Sequence, residues 1–241
     1  MLENFIGSIF RAWLWEFCAA LAGLIYLLNV RETGRWTRRF VYFLWITFFI
    51  DLSGAYVRLA YYSDYTIFGF IENTVWQRNY WLYNSYNIFV FLFFSLFFIS
   101  QLSGSKIKKV LRGVCVFYLL SAWINLIVSG KFFTGYSAYT FLLGTLLLSV
   151  SIGFYFYQLL KSDKILSFYK DISFYIASGT LLNYLAFTPM FLYNNFAVMK
   201  TSPEFVDIYL TVLALLNFVM YGFYTLGFII EIRKKREKQY I

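Results

Sequence analysis

The sequence predicts an all-α, polytopic membrane protein with seven transmembrane helices, and three observations predict it. Hydrophobic residues make up 61% of the 241-residue chain and charged residues only 14%, about half the usual share for a soluble domain. Apolar runs near the length that crosses a bilayer, about 20 residues, recur seven times. Lysine and arginine gather on alternate connections between those runs, as membrane topology demands.

The first run, 12–30, follows a decapeptide, Met1 to Phe10, that lacks the basic start and small-residue cleavage site of a signal peptide. It is therefore expected to stay as a span. The others are 40–61, opening after a basic connection; 80–102, rich in phenylalanine; 110–128, entered through Lys106, Lys108 and Lys109; 138–160, rich in leucine; 172–193; and 208–230. Pro189 removes a backbone donor in the sixth run and predicts a kink near Ala186 to Pro189. The seventh run ends at Arg233-Lys234-Lys235-Arg236-Glu237-Lys238, which reads as a stop-transfer and headgroup anchor. The segment Tyr65 to Tyr80, with Phe68, Phe70, Ile71, Val75 and Trp76 beside Glu72, Gln77 and Arg78, reads as an interfacial stretch, either an anchor or a lid. No connection is long enough to divide the chain, so 1–241 is expected to be one transmembrane domain.

Sixteen of the 21 basic residues fall on one side of these spans and five on the other, Arg11, Arg58, Arg78, Lys131 and Lys200. The positive-inside rule then puts the N-terminus outside and the C-terminus in the cytoplasm. Trp13, Trp15, Trp76 and Trp81 fall at the expected outer interface and Trp36 at the inner one. The net charge of +9 is thereby a topological signal, and no nucleic-acid partner is expected. The first and last three runs share spacing and direction. An offset of 132 residues sets Asp51 over Asn183, and one of 130 sets Asn87 over Asn217. The alternatives are a parallel 3+1+3 repeat, an arrangement known from transporters, or chance alignment among low-information apolar segments.

Polar residues within the spans are the candidates for function. Asp51 lies 11 residues beyond Phe40, about 16 Å into the membrane, where a carboxyl costs about 2.5–3.5 kcal/mol on insertion scales. It reads either as a counter-ion, proton site or switch, or as an interhelical hydrogen bond to Asn183 or a tyrosine. Arg58 is seven residues on, two turns along the same helix. Glu16, Asn84, Asn87, Asn125 and Asn217 extend the pattern, and with Asp51, Arg58 and Asn183 they would line an interior cavity open to the outer face. Taken singly, each asparagine reads as interhelical glue.

Several chemistries are excluded. The chain has no histidine, the commonest general base and zinc ligand, so neither a catalytic constellation nor a metal site is expected. Cys18 and Cys115 sit in apolar runs and are expected to be reduced and structural. The last span lacks the lysine of a retinal protein, and neither proline follows the Pro-Gln pattern of sugar-type 3+1+3 transporters. One midplane aspartate is too few for an intramembrane aspartyl protease. No cofactor is expected.

The runs Arg78-Asn79-Tyr80-Trp81-Leu82-Tyr83-Asn84, Phe154-Tyr155-Phe156-Tyr157 with Leu160-Lys161-Ser162, and Pro203 to Tyr209 resemble small bacterial seven-helix proteins encoded beside sensor kinases. The resemblance covers most of the chain and carries no catalytic or ligand residues with it. It implies a sensory or accessory subunit of the bacterial inner membrane that signals to a separate membrane or cytoplasmic protein. The lipid bilayer and a small ligand from the outer side complete the expected partners. Lys106, Lys108, Lys109, Arg233, Lys234, Lys235 and Arg236 are the expected docking residues. A small-molecule or proton-coupled transporter with a polar site around Asp51 is the alternative.

Overall fold

The computed structural model describes the backbone of residues 2–30, 32–196 and 203–237 and the side chains of 13–30, 32–193 and 207–235. Arg31, Lys238 and the side chains of Arg11, Lys200 and Arg236 lie outside the described residues. Helices occupy the apolar runs: α1 Leu2–Asn29, α2 Arg35–Gly54, α3 Tyr56–Tyr62, α4 Tyr80–Gln101, α5 Ser105–Val128, α6 Lys131–Thr134, α7 Ala138–Leu160, α8 Ile172–Phe196 and α9 Pro203–Glu237. No strand occurs among the described residues.

Five segments are long and apolar enough to cross a bilayer: Arg35–Tyr62, Tyr80–Gln101, Ser105–Val128, Ala138–Leu160 and Asp207–Lys235. Large apolar side chains on them face outward, among them Phe117 at 61%, Ile124 at 60% and Leu215 at 58% exposure. A water-soluble domain would not tolerate so wide an apolar surface, and a multi-pass membrane protein requires it. The described part of α1, Trp13–Asn29, is a shorter apolar helix. Helix α8 carries Ser173, Thr180, Asn183 and Thr188, all buried, which dilutes its apolar character.

Six helices close a ring in chain order. Helix α1 packs on α2, α2 on α4, α4 on α7, α7 on α8, α8 on α9, and α9 returns to α1. Helix α5 stands outside the ring against α4 and α7. Glycines allow a close approach of α8 to α9. A Cβ on Gly179 would meet Phe223 Cβ at 2.9 Å and the Met220 carbonyl at 3.1 Å, and one on Gly227 would meet Tyr175 Cβ at 3.0 Å. Small residues at such crossings replace the hydrophobic drive that helices lack in lipid.

One predicted feature differs. The helical hydrogen-bond ladder of the second run is interrupted at Ala55, between α2 and α3, although Ala55 keeps right-handed helical angles. The cause is tertiary, because Asn79 Nδ2 donates to the Gly54 carbonyl at 3.0 Å, while the Arg58 N–H turns to Ala55 instead. The Tyr83 hydroxyl fills the space beside Gly54, 2.5 Å from where a Cβ would stand. Helix α8 runs continuously through Pro189. There the Thr188 hydroxyl donates to the Tyr184 carbonyl at 2.5 Å and lies 3.2 Å from Thr145 Oγ1, so a side chain supports the backbone next to the missing donor.

The segment between α3 and α4 contains two short 3₁₀ turns, Gly69–Ile71 and Val75–Gln77. Ile71 is buried and anchors it, while Phe70 is 80% exposed. The Tyr56 hydroxyl donates to the Trp76 carbonyl at 2.8 Å and accepts from Trp81 Nε1 at 3.2 Å. These bonds tie the segment to the break in the second run.

Candidate functional site

The upper half of the ring, the end holding α3 and α6, contains a pair of acids. Glu16 of α1 is 4% exposed, and its carboxyl meets Asp51 of α2 and Tyr221 of α9. Asp51 is half-buried and meets Glu16 and the Tyr83 hydroxyl, with Arg58 as the nearby positive charge. Arg58 in turn lies 5.5 Å over the ring of Trp13, one turn before Glu16 on α1. Four helices and the short α3 thus converge on two carboxyls and one guanidinium. Glu16 Oε2 is fully buried with no hydrogen-bond partner. Two carboxylates in contact repel unless a proton or a cationic group lies near them, and Arg58 is the cationic group at hand.

The remaining predicted residues divide. Asn84 is 2% exposed and is taken up by backbone groups. Its Nδ2 donates to the carbonyls of Lys131 at 3.1 Å and Gly135 at 2.9 Å, and its Oδ1 accepts from Ser137 N–H at 3.2 Å. Asn125 Oδ1 accepts from the Ser137 hydroxyl at 2.9 Å. Both asparagines therefore fasten α6 and the start of α7 to α4 and α5. Asn183 is 8% exposed and its Oδ1 has no hydrogen-bond partner. Asn87 and Asn217 are half-buried. Asp51 finds Tyr83, a tyrosine as expected although 22 tyrosines leave no single one conspicuous, and Glu16, a pairing that sequence reasoning did not make.

An aromatic plug closes the ring below the acids. Phe40 of α2, Phe94 and Phe97 of α4, and Tyr224 and Phe228 of α9 are all buried. Phe40 packs edge-on against Tyr224 at 5.1 Å and stacks near Phe228 at 6.0 Å. Thr180 and Tyr224 share a hydrogen bond of 2.7 Å, so the one polar group of the plug is satisfied.

Below the plug lies a cavity of about 560 Å³ to which all six ring helices contribute. Sequence reasoning placed the interior cavity at the other end. The described geometry puts this one among Glu32, Arg35, Lys164, Asp171, Glu231 and Lys235. Lys234, expected on a docking surface, instead donates to the Lys170 carbonyl at 3.0 Å and pairs with Glu231 at 3.4 Å. Lys108 donates to the Ser100 carbonyl at 3.3 Å and caps α4. Lys106, Lys109 and Arg233 are exposed.

One face of α9 runs past every layer. Tyr221 reaches Glu16, Tyr224 and Phe228 form the plug, and Glu231, Lys234 and Lys235 line the cavity. Tyr221 and Glu231 are ten residues apart, about 15 Å along the helix. Among the described residues no group of three or more Cys, Asp or Glu is placed to hold a metal ion. No protein family, no curated protein and no solved structure matches this chain.

Proposed function

We propose that the protein is a non-enzymatic membrane sensor or accessory subunit, with seven spans, its N-terminus outside and its basic end in the cytoplasm of a bacterial inner membrane. The Glu16–Asp51 pair is its responsive element. A change in charge or ligand there shifts the helices, and a separate signalling protein reads the shift at the basic end. The observation that carries this reading is the continuous α9, Pro203–Glu237, which touches the acid pair through Tyr221 and the basic-end cavity through Glu231 and Lys234. Coupling needs an element that both sites bias, and α9 is that element. Lys106 and Lys109 on α5 and Arg233 on α9 are the protein's exposed docking residues.

The test is recovery of the tagged protein from its native membrane in mild detergent. The reading expects a stoichiometric companion bearing a cytoplasmic signalling domain, lost on charge reversal of Lys106 and Lys109 and altered in yield by Asp51→Asn. Recovery of the protein alone from every preparation would refute it.

A second reading, a proton-coupled or small-molecule transporter, is favoured by the break at Ala55 four residues beyond Asp51. Interrupted helices commonly flank transport sites. The chain-order ring with α5 outside also suits a 3+1+3 repeat. Under this reading Asp51→Asn abolishes proton-coupled uptake in liposomes without loss of expression, whereas unchanged flux removes Asp51 from the mechanism.

A further inference from the structure

The basic-end cavity has the volume of a small-molecule site, which typically falls in the range of about 300–1,000 Å³. It lies on the ring axis, bounded by α1, α2, α4, α7, α8 and α9, and so faces away from the lipid that surrounds the ring. Its acids are largely committed. Glu231 pairs with Lys234, and Asp171 Oδ1 accepts from Ser173 N–H at 2.9 Å at the start of α8. Glu32 is the acid left over, against Arg35, Lys164 and Lys235, none of which is in an ion pair among the described residues. With Arg35, Lys164, Lys234 and Lys235 set against Glu32, Asp171 and Glu231, the lining carries an excess of one positive charge.

The three cations come from separate elements, the start of α2, the α7–α8 connection and the end of α9. They surround the volume instead of lying on one solvated face. Gly34, Arg35, Trp36 and Thr37, the first turn of α2, also line it. That turn has no side-chain cap and no acidic residue, so its N–H groups add to the positive field. A planar guanidinium, two ammonium groups and free N–H donors match the oxygens and charge of a phosphate dianion.

We propose that this cavity binds a water-soluble phosphate or phosphomonoester dianion, held by Arg35, Lys164 and Lys235. This proposal does not rest on the acid pair or on the partner proposed above. A lipid headgroup offers the same phosphate chemistry, and the axial position argues for the soluble source.

The experiment uses full-length protein in phosphatidylcholine nanodiscs, with thermal unfolding followed as inorganic phosphate or glycerol 3-phosphate is added against chloride at matched ionic strength. A saturable rise in unfolding midpoint is expected from both phosphates and not from chloride. In Lys164→Ala/Lys235→Ala the apparent affinity should fall by about tenfold or more, with an unchanged midpoint in the absence of phosphate showing that the variant is folded. A rise equal to that with chloride, or one retained in the double variant, would overturn the proposal. So would a response only to phosphatidic acid placed in the nanodisc, which would make the cavity a lipid site.

Discussion

The two ends of the ring solve opposite problems with similar residues. At the acid-pair end Glu16 and Asp51 are crowded by Tyr83 and Tyr221, with one guanidinium nearby and one carboxyl oxygen left without a hydrogen-bond partner. At the basic end Glu231 has its own lysine at 3.4 Å, and the surrounding charges line an open volume of about 560 Å³. The difference teaches where sensitivity resides. A hollow, charge-rich cavity tolerates the loss of one side chain because water replaces it, whereas a packed polar site cannot.

That contrast is broken most severely at the plug between them. Phe40 is fully buried against Tyr224 and Phe228, so Phe40→Ala should cost about 3 kcal/mol or more, measured as a fall in thermal midpoint in detergent. A wild-type midpoint would mean that the ends are not separated by a packed layer. Asn84→Ala comes next. It strands the carbonyls of Lys131 and Gly135 and the N–H of Ser137, and a loss of about 1–3 kcal/mol is expected; proteolysis near Lys131 should quicken in step.

Neutralising the acid pair sharpens the comparison, because its sign is diagnostic. Glu16→Gln relieves repulsion between two carboxyls and is expected to leave stability unchanged or raise it by about 1 kcal/mol. A clear loss would show that Glu16 is a structural hydrogen-bonding group only. The smallest effect is expected at the hollow end, where Lys235→Ala should shift stability by no more than about 0.5 kcal/mol. A larger loss in the same unfolding assay would show that the cavity is a packed charge network.

Much of this architecture was legible in the sequence, because long apolar runs and buried helices obey the same length rule. The limits of α4 and α7 differ from their runs by a residue at most. The break at Ala55 was not legible: it depends on Asn79, 24 residues away, capturing the Gly54 carbonyl, and hydropathy is blind to that. Glu16 and Asp51 each stood out as acids in apolar runs, yet their pairing depends on how α1 and α2 are rotated, which one sequence does not reveal. The role of Asn84 as a fastener was not legible, since nothing in its own span announces the short α6 that it holds. Lys234 and Lys235 read as a tail, although their spacing from Tyr224 and Phe228 continues one helical face into the ring.

The central claim is that the acid pair and the basic end are coupled through α9. The most direct test places a single cysteine at position 235 in a Cys18→Ala/Cys115→Ala background and compares its rate of modification by a charged thiol reagent with and without Glu16→Gln/Asp51→Asn. Coupling predicts a change of at least about twofold, the lower end of known coupling energies, although Lys235 and Glu16 lie on different helices and in different layers. An identical rate, in a variant that elutes and unfolds as the parent does, would contradict it.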